Sequence, residues 1–560
     1  MNRRSLLKSL LVGAGALAVP GAASAAVRGT AVRTAAQAVG VSGATVLQLA
    51  RVWISPGSDI SGFDDTHVVF DDGSVELLLW PGDVARLQAT GLRYEITVAD
   101  VMAHDAAADA AAPGRPALSV LKPQPGERTA YRRLPDYDTD MAALVARFPT
   151  KARLFTLPER TLEGRQVVGI EIGHDVARKD GRPVFYQDGC HHAREWPAAE
   201  MCIMWAYDLL ENDGKDARIT ALMANARHVI IPIVNRDGFQ HSRESLVELS
   251  NTGGLPPGGL EAYWRKNKHS YTELLYPAGG VESHGNADAH GIDNNRNYGY
   301  RWGGNGSSAD KTVQDSRGTA PFSEPETRNI AWALGRWQCT AANTNHTAGN
   351  LILRAWGDTQ ANSPDETLMK TLGDAMGKIT GYKSQKSIQL YVTTGTCSDF
   401  MYGALGSISY TFEHSGGGFH PDYMSTVPAM YAKVRPAFLL LAEAAADPAL
   451  HSIVRGRLVD GSGAPVTGEV FIRKSMQLSL VPGNPTGQAT TSYAIQNFPV
   501  ETGPDGTFEL HTNPSTQPFL YYEGKEETFE IVAKAGSATG TSTILALRGQ
   551  THDLGNITVR

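Results

Sequence analysis

The stretch Asp188-Gly189-Cys190-His191-His192-Ala193-Arg194-Glu195-Trp196 decides how the chain is read. Val184-Phe185-Tyr186 precedes it as an apolar strand. Pro197 to Leu210 follows as a helix, opened by proline where the missing N–H costs nothing. A polar segment between a strand and a helix lies at the end of a sheet where α/β proteins bind ligands. His192 and Glu195 are three residues apart, so on a helical turn their side chains point the same way. An imidazole and a carboxylate so placed suit Zn²⁺, whose catalytic sites take a third protein ligand and keep one position open. Taken alone, such a pair usually marks a surface salt bridge or a helix cap.

Outward from this segment, apolar strands alternate with helices across residues 131–446. Val229 to Val234 and Ile408 to Phe412 read as strands, and Glu324 to Trp337 and Met430 to Ala445 as helices. Such alternation predicts an α/β sheet covered by helices. Residues 26–103 read as a small α/β module. Ala44 to Val52, Thr66 to Phe70, Val75 to Leu79 and Tyr94 to Val98 are its expected strands, and Pro81 opens a helix that Gly91 ends. A linker spans 104–130, Ala-rich and then broken by Pro113, Pro116, Pro123 and Pro125. Residues 447–560 carry short β runs between turns such as Gly503-Pro504-Asp505-Gly506, the pattern of a β-sandwich.

The 560 residues suffice for three to four domains. With 42% hydrophobic and 19% charged residues, the chain is globular rather than disordered. A net charge of −7 without a dense basic run argues against nucleic-acid binding. Arg3, Arg4 and Lys8, the apolar Leu10 to Val19 and Ala23-Ser24-Ala25 form an export signal over residues 1–25. Asn2-Arg3-Arg4-Ser5-Leu6-Leu7-Lys8 resembles the twin-arginine type, so secretion is expected. Removing that segment takes the net charge to −10. No later apolar run is long enough to anchor the chain in a membrane. Cys190, Cys202, Cys339 and Cys397 allow three disulfide connectivities or none, and without a Cys-x-x-Cys pair they do not suggest a cysteine metal site.

From about Tyr131 to Leu441 the motifs, in order, resemble the zinc carboxypeptidases of the metallocarboxypeptidase (funnelin) family. The resemblance implies a mixed twisted sheet flanked by helices and one Zn²⁺ per chain. His192-Ala193-Arg194-Glu195-Trp196 matches the first motif, which implies that His192 and Glu195 are zinc ligands and that Arg194 contacts substrate. Tyr263-Trp264-Arg265-Lys266-Asn267 carries Arg265, which would polarise the scissile carbonyl. Gly291 to Asn297 carries Asn295 and Arg296, which would clamp a terminal carboxylate. Phe322 to Thr327 matches a structural helix start. Asn345-His346-Thr347 would supply the third ligand, His346, and Tyr410-Thr411-Phe412-Glu413 the catalytic glutamate, Glu413. Tyr391 falls where the family has a mobile tyrosine over the substrate, and Ser398 at the base of its side-chain pocket. Leu353, Gly357, Thr393 and Thr411 fall on the pocket walls. Residues 26–103 resemble procarboxypeptidase activation segments, and residues 447–560 resemble transthyretin-like, carboxypeptidase regulatory-like domains.

The chain departs from the family in three places. Glu195 and His346 lie 151 residues apart, with the surplus largely in Ser245 to Leu260 and Tyr276 to His290. His191 stands beside His192 and is expected to be a partly buried loop residue with a backbone hydrogen bond. Arg354-Ala355 replaces an aromatic and a proline.

The residue types suit the roles. Glu413, outside the metal shell, can take a proton from water and pass it to the leaving amine. Arg265 stabilises developing oxyanion charge, and Arg296 holds a carboxylate in a bidentate fork. The expected function is a secreted, monomeric zinc metallocarboxypeptidase acting on peptide or protein C-termini, preferring neutral apolar or aromatic residues. An activating protease would cut at Arg128, or at Arg132 and Arg133, because Arg115 and Lys122 precede prolines. The alternative is a same-fold amidase or cell-wall peptide hydrolase, which would not need Asn295, Arg296 and Tyr391. A non-catalytic binding module would not need Glu413 and Arg265.

Overall fold

The computed structural model describes residues 46–560, apart from 56–57, 59, 61, 71, 81, 102, 105–129, 251–259, 270–290, 415–417, 478–491 and 515–527. The export signal, nearly all of the linker and the Tyr276 to His290 insertion therefore lie outside the described residues.

Strands Gln48–Trp53 (β1), Asp64–Val69 (β2), Val75–Leu79 (β3) and Arg93–Val98 (β4) form an antiparallel sheet in the order β2-β3-β1-β4. Val75, Leu77 and Leu79 share a face because side chains alternate along a strand. They bury against Ala50, Val52 and Leu87, the last from helix Asp83–Ala89 (α1). That helix opens at Asp83, after Gly82 at φ 96°; Pro81, expected to open it, lies outside the described residues.

The central unit runs Leu134–Arg147 (α2), Ala152–Arg160 (β5), Gln166–Ile172 (β6), Val184–Gly189 (β7), Trp196–Asn212 (α3), Ala217–Asn225 (α4), Arg227–Ile231 (β8) and Arg236–Ser250 (α5). It continues through Pro325–Trp337 (α6), Ala341–Thr347 (β9), Leu351–Arg354 (β10), Glu366–Thr380 (α7), Lys383–Lys386 (β11), Cys397–Gly403 (α8), Ile408–His414 (β12) and Tyr423–Ala446 (α9). Its eight strands form a mixed sheet in the order β11-β10-β12-β9-β7-β8-β6-β5. β12, β9, β7 and β8 pair in parallel, while β6 pairs antiparallel with β5 and β8. These four parallel strands are buried along their whole length, as helix-covered strands must be. Helices α3 and α9 pack on β7 and β9.

Helix α9 starts at Tyr423, ahead of the expected Met430. Asp422 caps it by accepting the Ser425 N–H, and both Pro428 and Pro436 lie inside it. The four cysteines are buried thiols, so no disulfide staples this core. Among the described residues, no helix is long and apolar enough to cross a membrane. Arg132 is wholly buried, with Nε on Asp140 and Nη1 on Glu200, and Arg133 caps α2. Neither offers a protease an exposed segment. Of the three expected cut sites this leaves Arg128, which lies outside the described residues.

Beyond α9, Ser452–Val459 (β13), Thr507–Thr512 (β17) and Thr551–Thr558 (β20) form one sheet. Glu469–Gln477 (β14), Ser492–Gln496 (β15), Val500–Glu501 (β16), Phe529–Ala535 (β18) and Ala538–Ile544 (β19) form another. One core serves both, with Val454, Leu458 and Leu510 meeting Val470, Ile472 and Ile531.

Candidate active site

Three adjacent parallel strands end at the site. Gly189 closes β7 in register with Asn345 on β9, and His346 lies opposite Glu413 on β12. The turn after β7 leads into α3, for which Glu195 is the N-cap and Pro197 fills an opening position. Its Ala193 N–H donates to the Arg265 carbonyl at 2.9 Å, which ties the loop carrying Arg265 to it.

His192, Glu195 and His346 converge and are fully buried. His192 Nδ1 lies 2.6 Å from Glu195 Oε1, and His346 Nδ1 lies 2.9 Å from Glu195 Oε2. The two Nδ1 atoms are 3.2 Å apart. Two ring nitrogens facing each other and a carboxylate at that range form a cluster that could hold a cation. Two imidazoles and a carboxylate are a zinc donor set. Burial opposes the charge on Glu195, but the two imidazoles overcome it and hold the carboxyl well below its ordinary range.

Asp293, which the sequence reading did not single out, links the rest. Its Oδ1 meets His192 Nε2 at 3.1 Å, and its Oδ2 accepts from Arg265 Nε at 3.1 Å and Nη2 at 2.9 Å. It also caps the Asn294–Arg296 turn by accepting the Asn295 N–H at 2.8 Å. Imidazoles that bind metals usually give their other nitrogen to such a carboxylate. The available signal was its place two residues before Asn295. Arg265 keeps Nη1 without a hydrogen-bond partner among the described residues. Burial works against the Arg265 charge, and Asp293 more than restores it.

Arg296 Nε donates to the Gly306 carbonyl at 3.0 Å and Nη1 to that of Asn295 at 2.9 Å, which fixes the guanidinium plane. Asn295 Oδ1 accepts the Cys397 N–H at 2.8 Å, so the turn carrying Arg296 is joined to the start of α8 beside buried Ser398. Burial first, then the charge of Asp65, push the Tyr391 phenol well above its ordinary range. Arg354 pairs with Glu366 at 2.7 Å.

Arg194 is wholly buried and gripped through two nitrogens by Asp64 of β2, with its guanidinium 4.1 Å from the Phe419 ring centre. In this arrangement it is closed to a substrate. His191 is fully rather than partly buried; its backbone carbonyl accepts from Asn235 Nδ2 at 3.2 Å, and its ring meets the side chains of Tyr298 at Oη, 2.6 Å, and Thr344 at Oγ1, 3.3 Å.

The family profile described as zinc carboxypeptidase matches residues 137–431, more than half of the chain. A zinc carboxypeptidase of Saccharothrix mutabilis subsp. capreolus is 26% identical over 442 residues, covering 75% of this chain and 92% of that protein. Carboxypeptidase B of Helicoverpa zea is 26% identical over 380 residues, covering 62% of this chain and 79% of that one. The fold is similar to that of carboxypeptidase A from Helicoverpa armigera, with a TM-score of 0.57, 21% identity, and 72% of this chain and 98% of that chain covered. On the profile match and the buried zinc donor set it contains, the chain belongs to the zinc carboxypeptidase family of zinc-dependent peptide hydrolases.

Proposed function

We propose that the protein is a secreted, monomeric metallocarboxypeptidase that removes C-terminal residues from peptides or proteins, with His192, Glu195 and His346 holding the metal. The convergence of the two Nδ1 atoms on the Glu195 carboxylate carries this reading. Zinc bound there supplies a Lewis acid that polarises a carbonyl and acidifies water. Asp293 orients His192 through Nε2 and aims Arg265, whose Nη1, without a hydrogen-bond partner among the described residues, suits oxyanion charge that grows in the transition state. Glu413, held opposite His346 by strand register, takes a proton from water and gives it to the leaving amine. Arg296, its plane fixed by two carbonyls, and Asn295 receive the terminal carboxylate. Tyr391 covers it, and Ser398 floors the side-chain pocket. This retained carboxylate clamp favours a carboxypeptidase over a same-fold amidase or cell-wall peptide hydrolase.

The N-terminal module is an inhibitory segment in this reading. Asp64 occupies Arg194, a substrate-binding residue of the released enzyme, and Asp65 acts on Tyr391. Gly62 N–H donates to Asp315 Oδ2 at 3.3 Å, a further tie between module and enzyme. An activating protease cutting the linker at Arg128 would release it after twin-arginine export.

The test is hydrolysis of N-blocked dipeptides by the form lacking residues 27–128, with and without a zinc chelator. Chelator-sensitive release of the C-terminal amino acid is expected. Equal hydrolysis of C-terminally amidated substrates would point to the amidase instead.

A further inference from the structure

The two imidazoles of the metal site are held differently. His192 has its orientation set through Nε2 by Asp293. His346 Nε2 is buried and has no hydrogen-bond partner among the described residues. Something other than the usual carboxylate must keep its Nδ1 aimed at Glu195. The ring of His191 lies flat against the ring of His346, with centres 5.5 Å apart and planes 16° from parallel. His191 is itself locked at both nitrogens.

We propose that His191, Tyr298 and Thr344 are positioning residues that set the ring orientation of His346 through this stacked face. The lock is one hydroxyl contact at each ring nitrogen. Thr344 Oγ1 lies 3.3 Å from His191 Nδ1. Tyr298 Oη lies 2.6 Å from His191 Nε2. Thr344 stands two residues before His346 on β9, which pairs with β7, so the lock and the ligand share one rigid support. A hydrogen bond at each nitrogen fixes the plane of His191. A ring fixed in plane restricts the ring stacked on it.

The inference rests on His346 being a metal ligand, and the experiment separates the two. Zinc affinity is measured by competition with a chromophoric chelator, beside metal content and melting, for Tyr298→Phe, Thr344→Val, Thr344→Ser and His346→Ala. Tyr298→Phe and Thr344→Val should each weaken zinc binding about 10–100-fold while remaining folded. Thr344→Ser keeps the hydroxyl and should bind as wild type. Thr344→Val binding zinc like Thr344→Ser, while His346→Ala loses it, overturns the positioning role alone. His346→Ala retaining zinc overturns the ligand reading as well. Two zinc ions per chain, falling to one in Cys397→Ser, would make Asp188, His191 and Cys397 a metal site and also overturn the proposal. If Tyr298→Phe does not fold, the Thr344 pair decides.

Discussion

Asp64 of β2 grips Arg194 of the metal loop through both carboxylate oxygens, and neither side chain is open to solvent. An exposed pair would contribute at most about 1 kcal/mol, but removing one partner of a buried pair costs about 3–5 kcal/mol. Asp64→Ala should therefore loosen the module and raise the activity of the chain that retains it. Initial rates are compared with the form lacking residues 27–128. Identical rates for the intact and shortened wild-type forms would remove the inhibitory role.

His346→Ala should lose both zinc and activity, whereas Glu413→Gln should keep zinc and substrate binding. Its amide cannot accept a proton, and general acid–base catalysis is typically worth about 10²–10⁴-fold in rate. Metal analysis beside kcat separates the two effects. A Glu413→Gln enzyme within a few-fold of wild type would show that another group is the base.

The sequence made part of this site legible. His192 and Glu195 stand at helical spacing between a strand and a helix, and local pattern finds them. His346 was reachable only by resemblance, because it sits on β9, whose Asn343, Thr344, Asn345 and Thr347 are polar yet buried, a pattern that does not mark a buried strand. Asp293 meets His192 across 101 residues and Asp64 meets Arg194 across 130, contacts that no local pattern encodes. The first two turns of α9 were hidden by Pro428, since proline usually opens or ends a helix.

Arg132 should matter to stability rather than to activation. Its guanidinium compensates Glu200 and Asp140 in a buried setting, and its N–H donates to Glu200 at 2.8 Å. Arg132→Ala should cost about 3–5 kcal/mol, read as a large fall in melting temperature. Limited tryptic digestion of the wild type should yield no fragment beginning at Arg133. Such a fragment from folded protein would mean that this segment opens.

His451, just ahead of β13, has its Nε2 2.5 Å from Nδ1 of His511 on β17. Burial first, then His511 and Arg548, press the His451 pKa from 6.5 down to about 3. Between those values the unfolded chain binds more protons than the folded one. The contribution to stability is complete above about pH 6.5 and is lost as pH falls toward 3, by about 1.4 kcal/mol per pH unit for one proton. His451→Gln should give a shallower fall of melting temperature from pH 6.5 to 4 than wild type. Parallel curves would mean that His451 does not titrate with unfolding.

The last expectation concerns the C-terminal residue removed. Ser398 is buried beside the start of α8, and its carbonyl accepts the Ser409 hydroxyl at 3.0 Å, so a small neutral side chain is held at the proposed pocket floor. Asp399 is adjacent in sequence, but its Oδ2 is taken by the Gly357 N–H at 3.0 Å. Burial, then the charge of Asp358, push its pKa up to about 7, so at or below neutral pH it is a weak partner for a substrate cation. Arg354 is already matched by Glu366 and leaves no loose positive charge. A Lys or Arg side chain would enter without a dedicated counter-ion, and burying an unpaired charge is costly. Neutral apolar and aromatic residues are therefore favoured, with weak discrimination among them, since one methylene is worth only about 1–3 kcal/mol. The ratio of kcat/KM for a C-terminal Phe or Leu substrate over its Arg counterpart should exceed about tenfold at pH 6. It should narrow above pH 7 as Asp399 ionises. A ratio below one at pH 6 would mean that another acid reaches the pocket, and the place given to Ser398 would have to be abandoned.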